Sequence, residues 1–223
     1  MTQDKLQAIG WKPFFQQQVD DSADVVIARV SAHFGSQVLM LGAEGEFRIP
    51  VQLAEAAGDV AVGDWLVLDA ADHRAQQRLE RQTHLYRKAP GIEVKSQTIA
   101  ANIDTIFIVS SCNEDFNLSR IERYLALTLQ AEALPVVVLT KADLTDDVAE
   151  LRRQVEKLHA GLMVETLDAR DPTQAEVLNT WCRAGQSVAL LGSSGVGKST
   201  LVNALGAAGQ ATGAIREKDG KGR

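Results

Sequence analysis

Residues Gly192-Ser193-Ser194-Gly195-Val196-Gly197-Lys198-Ser199 spell G-x-x-x-x-G-K-[ST], and few eight-residue strings restrict a fold so tightly. The apolar run Ser187 to Leu191 leads into it, and Ser199 to Leu205 opens a helix after it. A strand, a tight glycine-rich turn and a helix must therefore follow one another here. Glycines at 192, 195 and 197 let the backbone wrap closely around phosphates, where a Cβ would intrude. Amide N–H groups from about Gly195 to Thr200 aim into the turn, and the start of the helix adds its positive end. In such a loop Lys198 reaches the β- and γ-phosphates and the Ser199 hydroxyl binds Mg²⁺.

A second motif stands earlier in the chain. Thr140-Lys141-Ala142-Asp143 fits the [NT]-K-x-D tetrad that reads a guanine base, and it follows the buried strand Val136-Val137-Val138-Leu139. The Asp143 carboxylate can accept from both N1–H and the exocyclic amine of guanine. Adenine has no such donor pair, so a buried Asp143 facing it would stay unpaired. The Lys141 stem can lie across the base plane. Thr140 stands where asparagine is more common, and its hydroxyl can tie this loop to the phosphate loop. A third contact is expected after the next strand, where the backbone N–H groups of Thr166 and Leu167 could meet guanine O6; a plain strand-end turn is the competing reading. Together the motifs predict GTP and GDP as ligands with Mg²⁺ as cofactor, and the tetrad argues against an ATP-dependent kinase or ATPase. Their order is the reverse of the usual one, which predicts a GTPase domain with circularly permuted strands.

The rest of the second half agrees with an α/β domain. Ile106-Phe107-Ile108-Val109 is a near-continuous apolar run of the kind covered on both faces of a sheet. Ile121, Leu125 and Leu129 fall at helical spacing, with Ser119 and Glu122 as a capping box. Val148, Leu151, Val155 and Leu158 mark another helix, Leu162 to Val164 another strand, and Thr173 with Glu176 the cap of a further helix. This alternation predicts a parallel sheet with ligands at the carboxyl ends of its strands.

The first ninety or so residues instead read as short strands: Val25 to Val30, Gln37 to Leu41, Glu46 to Val51, Trp65 to Leu68 and Ala75 to Leu79. Five strands at this spacing fit a small antiparallel barrel of OB type, with an SH3-like barrel as the rival. Trp11, Phe14 and Phe15 belong to an N-terminal arm whose aromatics need somewhere to pack. The domain boundary is expected between residues 92 and 93, giving 1–92 as arm and barrel and 93–223 as the permuted GTPase domain.

A net charge of −6 argues against wholesale coating of nucleic acid, but the charge is uneven. Arg74, Arg78, Arg81, Arg87, Lys88 and Lys95 face only Glu80 and Glu93, a cluster that could meet RNA phosphates or form a solvated linker. Cys112 and Cys182 have no metal-ligand spacing and read as buried thiols of a reducing cytosol. His33, His73, His84 and His159 show no ligand spacing either. No run approaches a membrane span, and no basic-then-apolar signal region opens the chain. A cytoplasmic protein, monomeric and without a membrane partner, is expected.

Several further strings carry a family resemblance: Val62-Gly63-Asp64-Trp65, Arg78-Leu79-Glu80-Arg81, Arg87-Lys88-Ala89, Ala100-Ala101-Asn102-Ile103-Asp104 and Asp115-Phe116-Asn117-Leu118. With the tetrad and the phosphate loop they resemble the ribosome small-subunit-dependent GTPase A family. The resemblance implies an N-terminal all-β OB-fold barrel plus an α/β P-loop GTPase domain, circularly permuted and here incomplete. It implies late maturation of the small ribosomal subunit, with the subunit and its rRNA as partners and rRNA bound through the barrel. Members of that family continue into switch I, a D-x-x-G motif and a C-terminal zinc-binding domain. Zinc ligands are not expected among these residues, and no residue is identified as the one that activates water. Hydrolysis of GTP to GDP is the leading reading; a hydrolysis-deficient guanine-nucleotide and RNA-binding module is the alternative.

Overall fold

The computed structural model describes residues 2–20, 24–88 and 96–207, which fall into two compact units, Met1–Ile103 and Asp104–Arg223. The boundary expected at 92/93 lies outside the described residues. The strand at Ser96–Ala101, on the far side of that boundary, belongs to the first unit, where it pairs antiparallel with His84–Lys88.

In the first unit, β1 (Val25–Phe34), β2 (Gln37–Gly42), β3 (Gly45–Pro50), β4 (Trp65–Asp69) and β5 (Ala75–Arg78) form one antiparallel sheet in the order β3-β2-β1-β4-β5. A three-strand meander, a helical turn at Val51–Ala54, and a fourth strand returning beside the first is OB-type connectivity. β1 runs past its expected end because a register shift between Val30 and Ala32 lets it bend and keep pairing to Phe34.

β4 is buried on both faces, and its two-residue period explains why. Leu66 and Leu68 join Val30, Val38, Met40 and Ile49 inside the barrel. Trp65 and Val67 point the other way, onto Leu6, Trp11, Phe15 and Leu79. The aromatics of the N-terminal arm thus find their partner in Trp65, whose ring lies 4.8 Å from Trp11 in an edge-on contact.

The strings around Gly63, Arg81 and Asn102 are one structure. Gly63 has φ 95°, and a Cβ there would lie 1.9 Å from the Ala101 carbonyl, so only glycine fits. Asp64, fully buried, accepts from Arg81 Nε and Nη2, both at 2.7 Å, and from the Ala61 N–H. Asn102 donates to Gly63 O and accepts from the Gln82 N–H, while Arg29 donates to the carbonyls of Ile9, Gly63 and Asn102. Arg81 therefore holds the fold together and is withdrawn from the basic cluster.

In the second unit, strands β8 (Thr105–Ser111), β9 (Leu134–Thr140), β10 (Met163–Thr166) and β11 (Val188–Leu191) form a parallel sheet; β6 and β7 denote the His84–Lys88 and Ser96–Ala101 hairpin. The order is β10-β9-β8-β11. Phe107, Val109, Val136 and Val138 face one core with Leu178, Val196, Leu201 and Leu205. The alternate residues Ile106, Ile108, Val137 and Leu139 are equally buried, as expected of a sheet covered on both faces.

Two helix starts differ from expectation. The cap of the helix Leu118–Gln130 is Asn117, whose side chain accepts from the Arg120 N–H at 2.8 Å, not Ser119. The short helix Pro172–Ala175 is capped by Asp171, not Thr173. In each case the true cap lies two residues upstream, in extended backbone, where a side-chain oxygen can reach the first free N–H groups.

Candidate guanine-nucleotide site

Parallel strands deliver the two motifs to one edge of the second unit's sheet. The chain runs β8, β9, β10 outward and then returns to place β11 on the other side of β8. That reversal is a topological switch point, the place where such sheets bind ligands. The phosphate loop leaves β11 there, and the tetrad leaves β9 two strands away.

The loops are joined directly. Thr140, fully buried, donates its hydroxyl to the Val196 carbonyl at 2.6 Å, with Ser110 O a longer second acceptor at 3.2 Å. A Cβ on Gly197 would lie 3.5 Å from the same hydroxyl oxygen, so base loop and phosphate loop are in van der Waals contact. Gly192 is obligatory at the start of the turn, since a Cβ there would come within 2.4 Å of Val109 O.

Beyond Gly192 the cradle has the expected composition. Ser193, Ser194, Gly195 and Val196 make the turn, and the helix Lys198–Ala207 begins at the lysine. Among the described residues, the N–H groups of Ser194, Gly195 and Gly197 donate to no backbone carbonyl. Those of Ser199 and Thr200 belong to the helix's first turn, which has no carbonyl of its own to bond. A helix start of this kind is suited to an anion. Lys198 Nζ donates to the carbonyls of Gly192 (2.5 Å) and Ser193 (2.6 Å), folded onto the loop it would span. Ser199 is exposed, and its hydroxyl has no hydrogen bond among the described residues, so it fits the role of a Mg²⁺ ligand. No group of three or more His, Cys, Asp or Glu among the described residues could hold a metal by itself.

On the base side, Lys141 has φ 55°, a left-handed conformation that is uncommon for a non-glycine residue and turns the chain sharply after β9. Ala142 follows, its N–H directed at Leu167 O at 3.4 Å. The Asp143 side chain is about a third exposed (34%) rather than buried, and its Oδ2 accepts from Arg170 Nη2 at 2.7 Å. Arg170 in turn clamps Asp168 with Nε (3.0 and 3.2 Å) and Nη2 (2.8 Å). These bonds to Arg170 hold the Asp168 carboxyl below its usual range.

The third expected contact meets an obstacle. The Leu167 N–H already donates to Leu139 O at 2.9 Å and its side chain is buried, while Thr166 is the last residue of β10. The next N–H, that of Asp168, donates to Gln174 Oε1 at 2.9 Å. What faces Asp143 from this loop is instead a guanidinium. Arg170 was not foreseen, although a charged residue just past β10, in the loop already assigned to the base, is a signal that could have found it.

Comparison with known proteins gives the family and the fold. The family described as RsgA GTPase matches residues 78–223. The small ribosomal subunit biogenesis GTPase RsgA 2 of Vibrio parahaemolyticus is 51% identical over 225 residues, covering 100% of this chain and 62% of the relative. The small ribosomal subunit biogenesis GTPase RsgA of Mesorhizobium japonicum is 45% identical, covering 98% and 64%. The chain thus spans somewhat under two thirds of the length of these curated relatives. Among solved structures, YjeQ from Thermotoga maritima superposes with a TM-score of 0.63 at 22% identity, covering 81% of this chain and 65% of that one. YloQ, described as a circularly permuted GTPase, gives 0.56 at 19%, covering 83% and 66%. The fold is therefore shared with these structures, and the chain belongs to the RsgA GTPase family.

Proposed function

We propose that this chain is the nucleotide-handling part of a GTPase that assists maturation of the small ribosomal subunit. The observation that carries the nucleotide reading is the Thr140 hydroxyl bond to Val196 O, which fixes the base-reading loop against the phosphate loop. One guanosine nucleotide can then be held at both ends: phosphates in the cradle Gly192 to Thr200, base at Asp143 with the Lys141 stem across its face. Thr166 and Leu167 contribute as the floor of the base loop rather than through the Leu167 N–H.

For hydrolysis, water attacks the γ-phosphorus in line with the departing β-phosphate oxygen. The loop N–H groups would stabilise the negative charge on the transferring phosphoryl group, and Lys198 would join them once its Nζ exchanges the Gly192 and Ser193 carbonyls for the phosphates. Ser199 is the residue that would hold Mg²⁺, which when bound would supply neutralisation of phosphate charge.

The small ribosomal subunit enters as partner through the relatives, whose names state that role. An OB-type barrel is suited to RNA, and its Phe34, half exposed (51%), carries the Arg48 guanidinium over its ring at 4.9 Å. Such a stacked pair can take up a base and a phosphate together, and Arg74 adds exposed positive charge on the same unit.

Competition of GTP and ATP against labelled GDP, followed by turnover with and without small ribosomal subunits, tests this. Displacement by GTP but not ATP is expected, with turnover stimulated by subunits. Equal displacement by ATP would refute guanine reading; guanine-specific binding without turnover under either condition would leave a binding module.

A further inference from the structure

We infer that Arg170 is a positioning residue for base recognition: held by Asp168, it fixes the orientation of the Asp143 carboxylate that reads guanine. The inference rests on the guanine-site reading above and adds a residue to it.

Asp168 and Arg170 form a unit independent of Asp143. Asp168 accepts the Arg170 backbone N–H at 2.9 Å as well as its Nε and Nη2, so a local turn and a fork-on-carboxylate clamp fix the guanidinium. The Asp168 N–H is itself tied to Gln174, which ties the clamp to the helix Pro172–Ala175. From this anchored position Nη2 reaches Asp143 Oδ2 at 2.7 Å.

The alternative is that Arg170 competes with the base, and counting acceptor positions decides against it. A carboxylate offers about four lone-pair positions. Guanine N1–H and the 2-amino group use one on each oxygen, and Arg170 uses one more on Oδ2, so all three donors fit. An exposed aspartate without Arg170 would rotate among several orientations and lose that entropy on binding the base. With Arg170 in place, the rotamer is set beforehand. Guanine affinity and the contact to the 2-amino group should both depend on the clamp.

The test uses the whole protein and measures Kd for GDP, IDP, whose base lacks the 2-amino group, and ADP. Arg170→Met should weaken GDP about three- to tenfold, the scale of one ordinary hydrogen bond, while ADP is unchanged and the GDP-over-IDP preference shrinks. Asp168→Asn should shift GDP in the same direction by releasing the clamp. The double variant should be no worse than Arg170→Met, because both remove one device. Arg170→Lys keeps a charge but not the fork and should not restore the GDP-over-IDP preference. Far-ultraviolet circular dichroism checks that each variant is folded, and the strong exposure of Arg170 (68%) favours that.

Tighter GDP binding by Arg170→Met would overturn the inference and make Arg170 a competitor for Asp143. An unchanged GDP-over-IDP preference would also overturn it, reducing Arg170 to loop structure. Those failures leave guanine reading intact so long as the wild-type protein prefers GDP to ADP. Loss of that preference in the wild type would overturn both.

Discussion

Arg81 meets Asp64 at 2.7 Å and Arg170 meets Asp143 at 2.7 Å, yet the first pair is enclosed by the barrel unit and the second stands in solvent. Asp64 is fully buried and Arg81 only 12% exposed, whereas Arg170 is 68% exposed. Burial gives each pair a different task. Around Asp64 both carboxylate oxygens are engaged, by Arg81 and the Ala61 N–H, and burial keeps any ligand out. Among the described residues Asp143 has one side-chain partner, on one oxygen, and retains acceptor capacity. The closed pair locks a fold; the open one can both hold an orientation and receive a base.

The comparison breaks most readily at Asp64. Asp64→Ala leaves the Arg81 guanidinium buried without its counter-charge, which should lower stability by about 3–5 kcal/mol, measured as a shift in the urea midpoint. A change below about 1 kcal/mol would mean that the enclosed pair is as dispensable as a surface one. Thr140→Val sharpens the contrast from the nucleotide side. It keeps shape but leaves the Val196 carbonyl without its donor, and should cost about 1–3 kcal/mol in stability together with weaker GDP binding. Loss of stability with unchanged GDP affinity would mean that the link between loops is structural only.

The exposed pair should respond least in stability. Arg170→Met should leave the unfolding midpoint nearly unmoved, since solvent and salt screen such pairs, and its effect on GDP affinity should decline as salt is raised. Acid provides a matching check. The Asp168 pKa is lowered, chiefly by the side-chain bond from Arg170, so the clamp is fully present above the ordinary carboxylate range and is lost as pH falls through the depressed value. A carbon-13 NMR titration of Asp168 should therefore show a higher pKa in Arg170→Met, and an identical pKa in both proteins would contradict the clamp.

The two regions also differ in how much could be read from residues alone. β8, β9 and β11 are apolar nearly throughout, and parallel strands covered on both faces must be, so they were visible as runs. The phosphate loop and tetrad were visible because their chemistry needs fixed residue types at fixed spacing. β6 was read only as part of a basic stretch and β7 as no element, because His84, Arg87, Lys88 and Ser96 do not display the alternation of a half-buried strand. Arg29, Asp64 and Arg170 acquire their roles from Asn102, Arg81 and Asp143, partners distant in sequence, and for Arg170 the local signal is only its place just past β10. Even the helix caps depended on backbone shape: Ser119 and Thr173 satisfy the motif, but Asn117 and Asp171 are where the chain is extended.

The central claim is that Asp143 and the Lys198 cradle grip one guanosine nucleotide, and Asp143→Asn tests it most directly. An amide there donates to the 2-oxo group of xanthine, so the variant should lose affinity for GDP and gain affinity for XDP while the phosphate end remains engaged. Retained preference for GDP over XDP in a folded Asp143→Asn protein would contradict the account.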